Sequence, residues 1–297
     1  MADAEASLKK WRLFGNKYED AVEVRSCEFF FFFFSSSSFL DLQLYKQAAN
    51  AYKMSKQFQE AGVAFQKQAE CHLQLGSKHE AATAWQSAAT AFQKVNPKEA
   101  VACLLLGVEL YVDEGRFGVA AKHEQQIGEL LEEMGNLDDA LVHYQTAADY
   151  FDGEGQAAAA GKVKLKVADH CAIAQKYPRA IEIYEATGVA YLANNLLKWS
   201  AKDLFFKAGI CHLCSEDMIG SRRAIERYQD LDVTFSTQRE CKFLLKLLEN
   251  CEAYNSDGLT IAVRDYNNIS PLDNWKTTLL LRIKNSISNA GGNEDLT

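Results

Sequence analysis

Ala61-Gly62-Val63-Ala64-Phe65-Gln66-Lys67-Gln68-Ala69 and, about twenty residues on, Ala81-Ala82-Thr83-Ala84-Trp85-Gln86-Ser87-Ala88-Ala89 are two copies of one pattern. A small residue returns at the same phase at Ala100, Ala120, Ala140, Ala160, Ala180 and Ala201. Four residues beyond most of these anchors stand Phe65, Trp85, Leu104, Tyr144, Tyr184 and Phe205, and eight beyond stand Ala69, Ala89, Ala148, Ala168, Gly188 and Gly209. A further apolar rank follows at plus eleven: Phe92, Tyr111, Leu131, Phe151 and Tyr191. Offsets of this kind keep one face of a helix apolar, and small residues set between large ones let two helices approach closely. Each unit therefore reads as one helix and a tight turn. Two units make a hairpin of about forty residues, so the chain is predicted to be all-α, a tetratricopeptide-like, right-handed helical-hairpin solenoid. Such an object offers a docking surface.

Composition agrees. The chain has 297 residues and is 48% hydrophobic, ample for a continuous core. Of its three prolines, Pro97 and Pro178 each fall in the first turn of an expected helix, where a missing N–H costs nothing. Its eight cysteines are scattered through helical patterns and read as small reduced core residues. Only Cys211-His212-Leu213-Cys214 has metal-like spacing, and it lacks the second pair that a four-ligand structural zinc needs, so neither metal nor cofactor is expected. A net charge of −8 argues against nucleic acid as a partner. The longest apolar run, Phe29 to Phe34, falls far short of the ~20 residues of a spanning helix, and with no secretory leader the reading is a soluble, cytoplasmic chain. No phosphate loop, zinc-protease motif, nucleophile elbow or carboxylate pair appears, so no enzyme is expected. His79, His123, His143 and His170 lie on separate units and read as surface or packing residues.

Taken in order, the chain opens with a short helical stretch, then a loop showing Trp11, Leu13 and Phe14, either tucked against the first helix or dipped into an apolar phase. Residues 24–43 interrupt the first repeat with six phenylalanines and four serines in low-complexity runs. With them set aside, Glu23 abuts Leu44, and Ala21, Tyr45, Ala49 and Tyr52 restore the repeat. Val24-Arg25-Ser26 fits a splice donor, the Phe/Ser tract a pyrimidine-rich stretch and the closing Gln43 an acceptor, so the segment reads as a retained intron or, alternatively, a membrane-dipping loop. The array then runs regularly to Asp217, with Gly76, Gly115, Gly135 and Gly155 expected to close helices in the left-handed conformation. Lys122, Lys162 and Lys202 recur at a spacing of forty, with Arg116 and Lys166 nearby, which predicts a basic row facing a long acidic partner. Residues 218–290 lose the pitch and are expected to form a capping helical bundle, giving a solenoid over 1–217, the bundle, and a flexible acidic tail over 291–297.

The segments Gln74-Leu75-Gly76-Ser77-Lys78-His79-Glu80-Ala81-Ala82, Gly115-Arg116-Phe117-Gly118-Val119-Ala120-Ala121-Lys122-His123, Leu197-Lys198-Trp199-Ser200-Ala201-Lys202-Asp203 and Pro271-Leu272-Asp273-Asn274-Trp275-Lys276 resemble the soluble NSF attachment proteins (SNAPs) of the alpha/beta type. The start of the array and the Glu294-Asp295-Leu296-Thr297 end look most like plant members. The resemblance implies an adaptor that coats the four-helix bundle of syntaxin-type and other SNAREs and recruits the hexameric ATPase NSF to take it apart. It implies SNARE contacts at Lys56, Lys94, Arg116, Lys122, Lys162, Lys166 and Lys202, with Gln93 standing where animal members often carry a lysine. It also implies peripheral membrane contact through Trp11, Leu13 and Phe14, and engagement and stimulation of NSF by Glu294, Asp295 and Leu296. The rival reading is a generic tetratricopeptide-like scaffold or cargo adaptor, which needs neither a basic row nor a defined terminal leucine.

Overall fold

The structure, a computed structural model, describes residues 38–291. Trp11, Leu13, Phe14, Glu294, Asp295 and Leu296, and residues 24–37 of the aberrant segment, lie outside the described residues. The described residues form α-helices and two short 3-10 turns, with no strand among them. They fall into two compact units, within Met1–Gln156 and within Ala157–Thr297.

The first unit contains α1 (Ser38–Met54), α2 (Phe58–Gln74), α3 (Lys78–Phe92), α4 (Pro97–Asp113), α5 (Phe117–Glu133) and α6 (Leu137–Gly153), each packed on the next. The pitch of twenty has a local origin: helices of 17 residues such as α2, α5 and α6 are separated by turns of three. Gly76, Gly115, Gly135 and Gly155 take φ values of 75°, 70°, 79° and 70° in these turns, as their positions predict. The residue after each glycine returns its N–H to a carbonyl five back, for example Arg116 to Tyr111 at 2.8 Å and Asn136 to Leu131 at 2.8 Å. This closure satisfies carbonyls that the helix end leaves open, and glycine reaches it without a Cβ clash. Pro97 sits at the start of α4, where its missing N–H is harmless.

The anchor alanines of this unit line its core: Ala61, Ala81, Ala100, Ala120 and Ala140 are fully buried. At Gly62 a Cβ would lie 2.5 Å from the Phe92 ring, so only glycine admits the aromatic there. Phe65, Trp85, Leu104 and Tyr144 fill the spaces between helices, each such burial contributing about 1.5–3 kcal/mol.

One expectation needs correcting. Residues 38–43 are not part of an excursion but the first turns of α1, and Leu42 is buried. Phe39-Leu40-Asp41-Leu42-Gln43 is too short to display a helical period alone, yet continued into Leu44 it sets Leu42, Tyr45 and Ala49 on one face. Asp41, only half-buried, occupies the slot held by an anchor alanine in the other repeats.

The second unit contains α7 (Ala157–Ile173), α8 (Tyr177–Leu192), α9 (Ala201–Cys214), α10 (Met218–Leu231), α11 (Arg239–Glu252), α12 (Ser256–Ile269) and α13 (Asn274–Gly291). The repeat logic persists at first: a Cβ on Gly188 would meet the Phe205 ring at 2.9 Å, so the small residue at plus eight of one repeat receives the large residue at plus four of the next. Then α13 turns back onto α7. Arg282 donates to the carbonyls of Ala172 at 3.1 Å and Ile173 at 2.7 Å, capping the end of α7, and Trp275 Nε1 donates to Asp169 O at 3.2 Å. Glu185 of α8 is a half-buried hub that accepts from Tyr228 at 2.5 Å and His212 at 3.3 Å and pairs with Arg227. Burial alone would raise its pKa, but these donors hold it down at about 2. Cys211 is buried and the Cys214 thiol donates to Leu279 O at 3.6 Å, so this pair serves packing.

Candidate partner-binding surface

The seven basic positions singled out by the sequence occupy three kinds of place. In the first unit, Lys56 and Lys94 belong to the turns that follow α1 and α3, which lie at the same end of an antiparallel helix series. Lys94 Nζ stands 4.3 Å above the ring of Phe58, the first residue of α2, which ties that lysine to the turn carrying Lys56. Lys56 itself has φ 61°, the left-handed slot that glycine fills in the turns after α2, α4, α5 and α6. A charged side chain is thus kept where glycine is the cheaper choice.

Arg116 and Lys122 sit at the opposite end, one helix length away, about 25 Å for 17 residues. Arg116 is the residue preceding α5; its Nη1 lies 2.6 Å from Nδ1 of His79, and the guanidinium stands 5.6 Å from the centre of the Tyr111 ring. Tyr111 in turn stacks on buried His123 at 5.3 Å, and burial lowers the pKa of His123. An exposed guanidinium is therefore held by an imidazole, an aromatic face and the ring beneath it. Lys122, two residues past the anchor of α5, is exposed. His143 also has a local role, its Nδ1 lying 2.6 Å from buried Glu124.

In the second unit, Lys162 and Lys166 lie one turn apart on α7, Lys162 exposed and Lys166 half-buried. Lys202 lies on α9, which runs parallel to α7 with α8 between them in the chain. The two parallel helices are stitched by Lys207 of α9, whose Nζ is 2.6 Å from Asp169 of α7 and 4.9 Å from the centre of the Trp275 ring. Lys202 precedes Lys207 by five residues, which turns it about 140° away around the helix. It reaches instead to α11, its Nζ 3.3 Å from Glu240 Oε1. Charges thus step across α7, α9 and α11, and Lys202 is engaged within the protein.

Sequence reasoning read His79 as a surface or packing residue without linking it to Arg116, and missed Lys207 and Glu240. A signal for them exists: the pairs Arg116–His79, Lys202–Glu240 and Lys207–Asp169 are separated by 37, 38 and 38 residues, close to one hairpin period. Polar residues of complementary type one hairpin apart are side-by-side neighbours in such an array. Among the described residues no group of acidic, histidine and cysteine side chains is arranged to hold a metal ion, and no helix is long and apolar enough to cross a membrane.

Comparison with known proteins adds independent information. Residues 23–288 match the family described as "Soluble NSF attachment protein, SNAP". The chain is 47% identical over 255 residues to the human alpha-soluble NSF attachment protein, covering 86% of this chain and 85% of that one. It is 37% identical over 284 residues to the alpha-soluble NSF attachment protein of Vitis vinifera, covering 96% and 91%. The probable vesicular-fusion protein sec17 homolog of Schizosaccharomyces pombe is 36% identical over 284 residues, covering 95% and 91%.

Proposed function

This chain belongs to the soluble NSF attachment protein family, and from that membership we propose that it is an adaptor, without enzymatic activity of its own, that binds assembled SNARE bundles and recruits the ATPase NSF to disassemble them during vesicle fusion and intracellular protein transport. Its solvent-facing lysines and arginine meet the acidic surface of the bundle, while Glu294, Asp295 and Leu296 engage and stimulate NSF. Trp11, Leu13 and Phe14 give it a peripheral hold on the membrane from the cytoplasmic side. The 218–290 segment caps the repeat array, and residues 291–297 act as the tail.

The observation that carries this reading, besides membership, is the exposure of Arg116, Lys122 and Lys162 on a chain whose net charge is −8. An acidic protein that keeps these cations facing solvent on alternate repeats is suited to an acidic partner, because complementary charge steers encounter and fixes register. The test is reversal of Lys122 and Lys162 together to Glu. Binding to assembled SNARE bundles should weaken by more than the ~1 kcal/mol of a surface ion pair per site, since like charges then face the partner. Raising the salt should weaken wild-type binding. Unchanged capture by the double variant at low and at physiological salt would favour a generic helical-repeat scaffold or cargo adaptor.

A further inference from the structure

Lys202 has a carboxylate of its own. Its Nζ is 3.3 Å from Glu240 Oε1, and the two partners are unequally placed: the Glu240 side chain is 12% exposed and that of Lys202 34%. Glu240 stands in the first turn of α11, where the helix dipole favours an anion, and that helix is fixed by buried Cys241, Phe243 and Leu244. The carboxylate therefore stays where it is. The lysine, on a flexible four-carbon stem at the surface, is able to swing outward. Lys207 provides the contrast, since its ammonium is bound to Asp169 at 2.6 Å and lies against the rings of Tyr184 and Trp275. That cation is locked on several sides, whereas Lys202 makes one hydrogen-bonded ion pair, to Glu240, with Asp203 near enough to feel its charge.

We propose that Glu240 is an internal counter-ion that competes with an acidic partner for Lys202 and so sets how acidic a surface must be before this face of the second unit engages it. The inference rests on the adaptor reading above and specifies part of its selectivity. When Lys202 turns to a partner carboxylate, Glu240 loses its ammonium while remaining largely sheltered from water, and that loss is subtracted from the new contact. A densely acidic helical bundle repays the exchange because several carboxylates surround the released lysine. A weakly acidic surface does not, so Glu240 rejects it.

The experiment is a double-mutant cycle on the full chain, with binding to an assembled SNARE bundle measured for wild type, Glu240→Gln, Lys202→Gln and the double variant. Glu240→Gln should tighten binding by about three- to fivefold, the scale of one partly screened ion pair. The gain should vanish in the Lys202→Gln background, because the competition acts through that lysine alone. Glu240→Asp keeps the charge but shortens the reach, so a smaller gain is expected there, and it shows that net charge is not the cause. Thermal unfolding of each variant confirms that the helices are intact. A gain of equal size with Lys202 absent would make Glu240 a general repulsive charge and overturn the proposal, as would no gain in either Glu240 variant. A wild-type chain that fails to bind the bundle would instead remove the adaptor reading and this inference with it.

Discussion

In the first unit, side chains that link different helices are separated by 12 to 37 residues, as in Tyr144 to Glu132 and Arg116 to His79, whereas in the second Arg282 reaches back 110 residues to Ala172 and Trp275 reaches back 106 to Asp169. The first unit is thus a chain of nearest-neighbour contacts. In the second, the last helix returns to the first and closes the unit on itself. The same apolar repeat begins both, so the difference lies in the returning α13, which buries Leu279, Leu280 and Ile283 and bonds to α7 through Arg282 and Trp275. A linear array gains stability step by step and loses it locally, while a closed one loses most of its contacts together.

The largest expected effect tests this contrast directly. Phe92→Ala in the first unit and Phe205→Ala in the second each remove a fully buried ring and should each cost about 3–5 kcal/mol. The spread of damage should differ. Hydrogen exchange should quicken in α2 to α4 for Phe92→Ala, but throughout α7 to α13 for Phe205→Ala, whose ring stacks on Tyr228 at 4.9 Å and meets Phe235 at 6.1 Å. Footprints of equal extent would break the comparison.

A smaller effect separates the units by pH. Glu185 is held at about 2 by its donors against the opposing effect of burial. Its carboxylate pKa lies below that of the unfolded chain, ~4.3, so its stabilisation is fully present above that value and is lost as pH falls through about 2. Glu185→Gln should cost about 2 kcal/mol at neutral pH, the scale of hydrogen bonds to a charged group. Unfolding curves of wild type and variant should converge towards pH 2. A constant gap down to that pH would show that the hub acts through shape and not charge.

The smallest effect belongs to the turns. Lys56→Gly should stabilise the first unit by about 0.5–1 kcal/mol, because glycine reaches the positive φ without the cost that a Cβ brings. Gly76→Ala, at φ 75°, should destabilise it by a similar amount. Melting temperatures that move the same way in both variants would show that turn conformation does not limit this unit. A weakened bundle affinity in Lys56→Gly, alongside its greater stability, would connect the retained lysine to binding.

Much of the fold was legible because its determinants are local. The anchors Ala61 to Ala201 and the partners at plus four and plus eight are separated by single helical turns, and the closing glycines stand two residues past the ends of α2, α4, α5 and α6. The start of α1 was less legible because Asp41 stands in an anchor slot and phenylalanine and serine runs precede it. Of the candidate surface, the sequence identified exposed Arg116, Lys122 and Lys162, since charge on the outward phase of an amphipathic helix faces water. It did not reveal that Lys202 is already paired or that Arg116 rests against His79. Those facts depend on residues a hairpin apart.

The sequence by itself determined helix length, turn position and the apolar face, because backbone closure and helical periodicity act within a few residues of each other. Only the tertiary structure decided which charges are free and which are spent, and that the second unit closes through Arg282 and Trp275. An ion pair or a carbonyl cap forms only when distant segments bring two atoms to about 3 Å, and that separation is set by the packing of every helix between them.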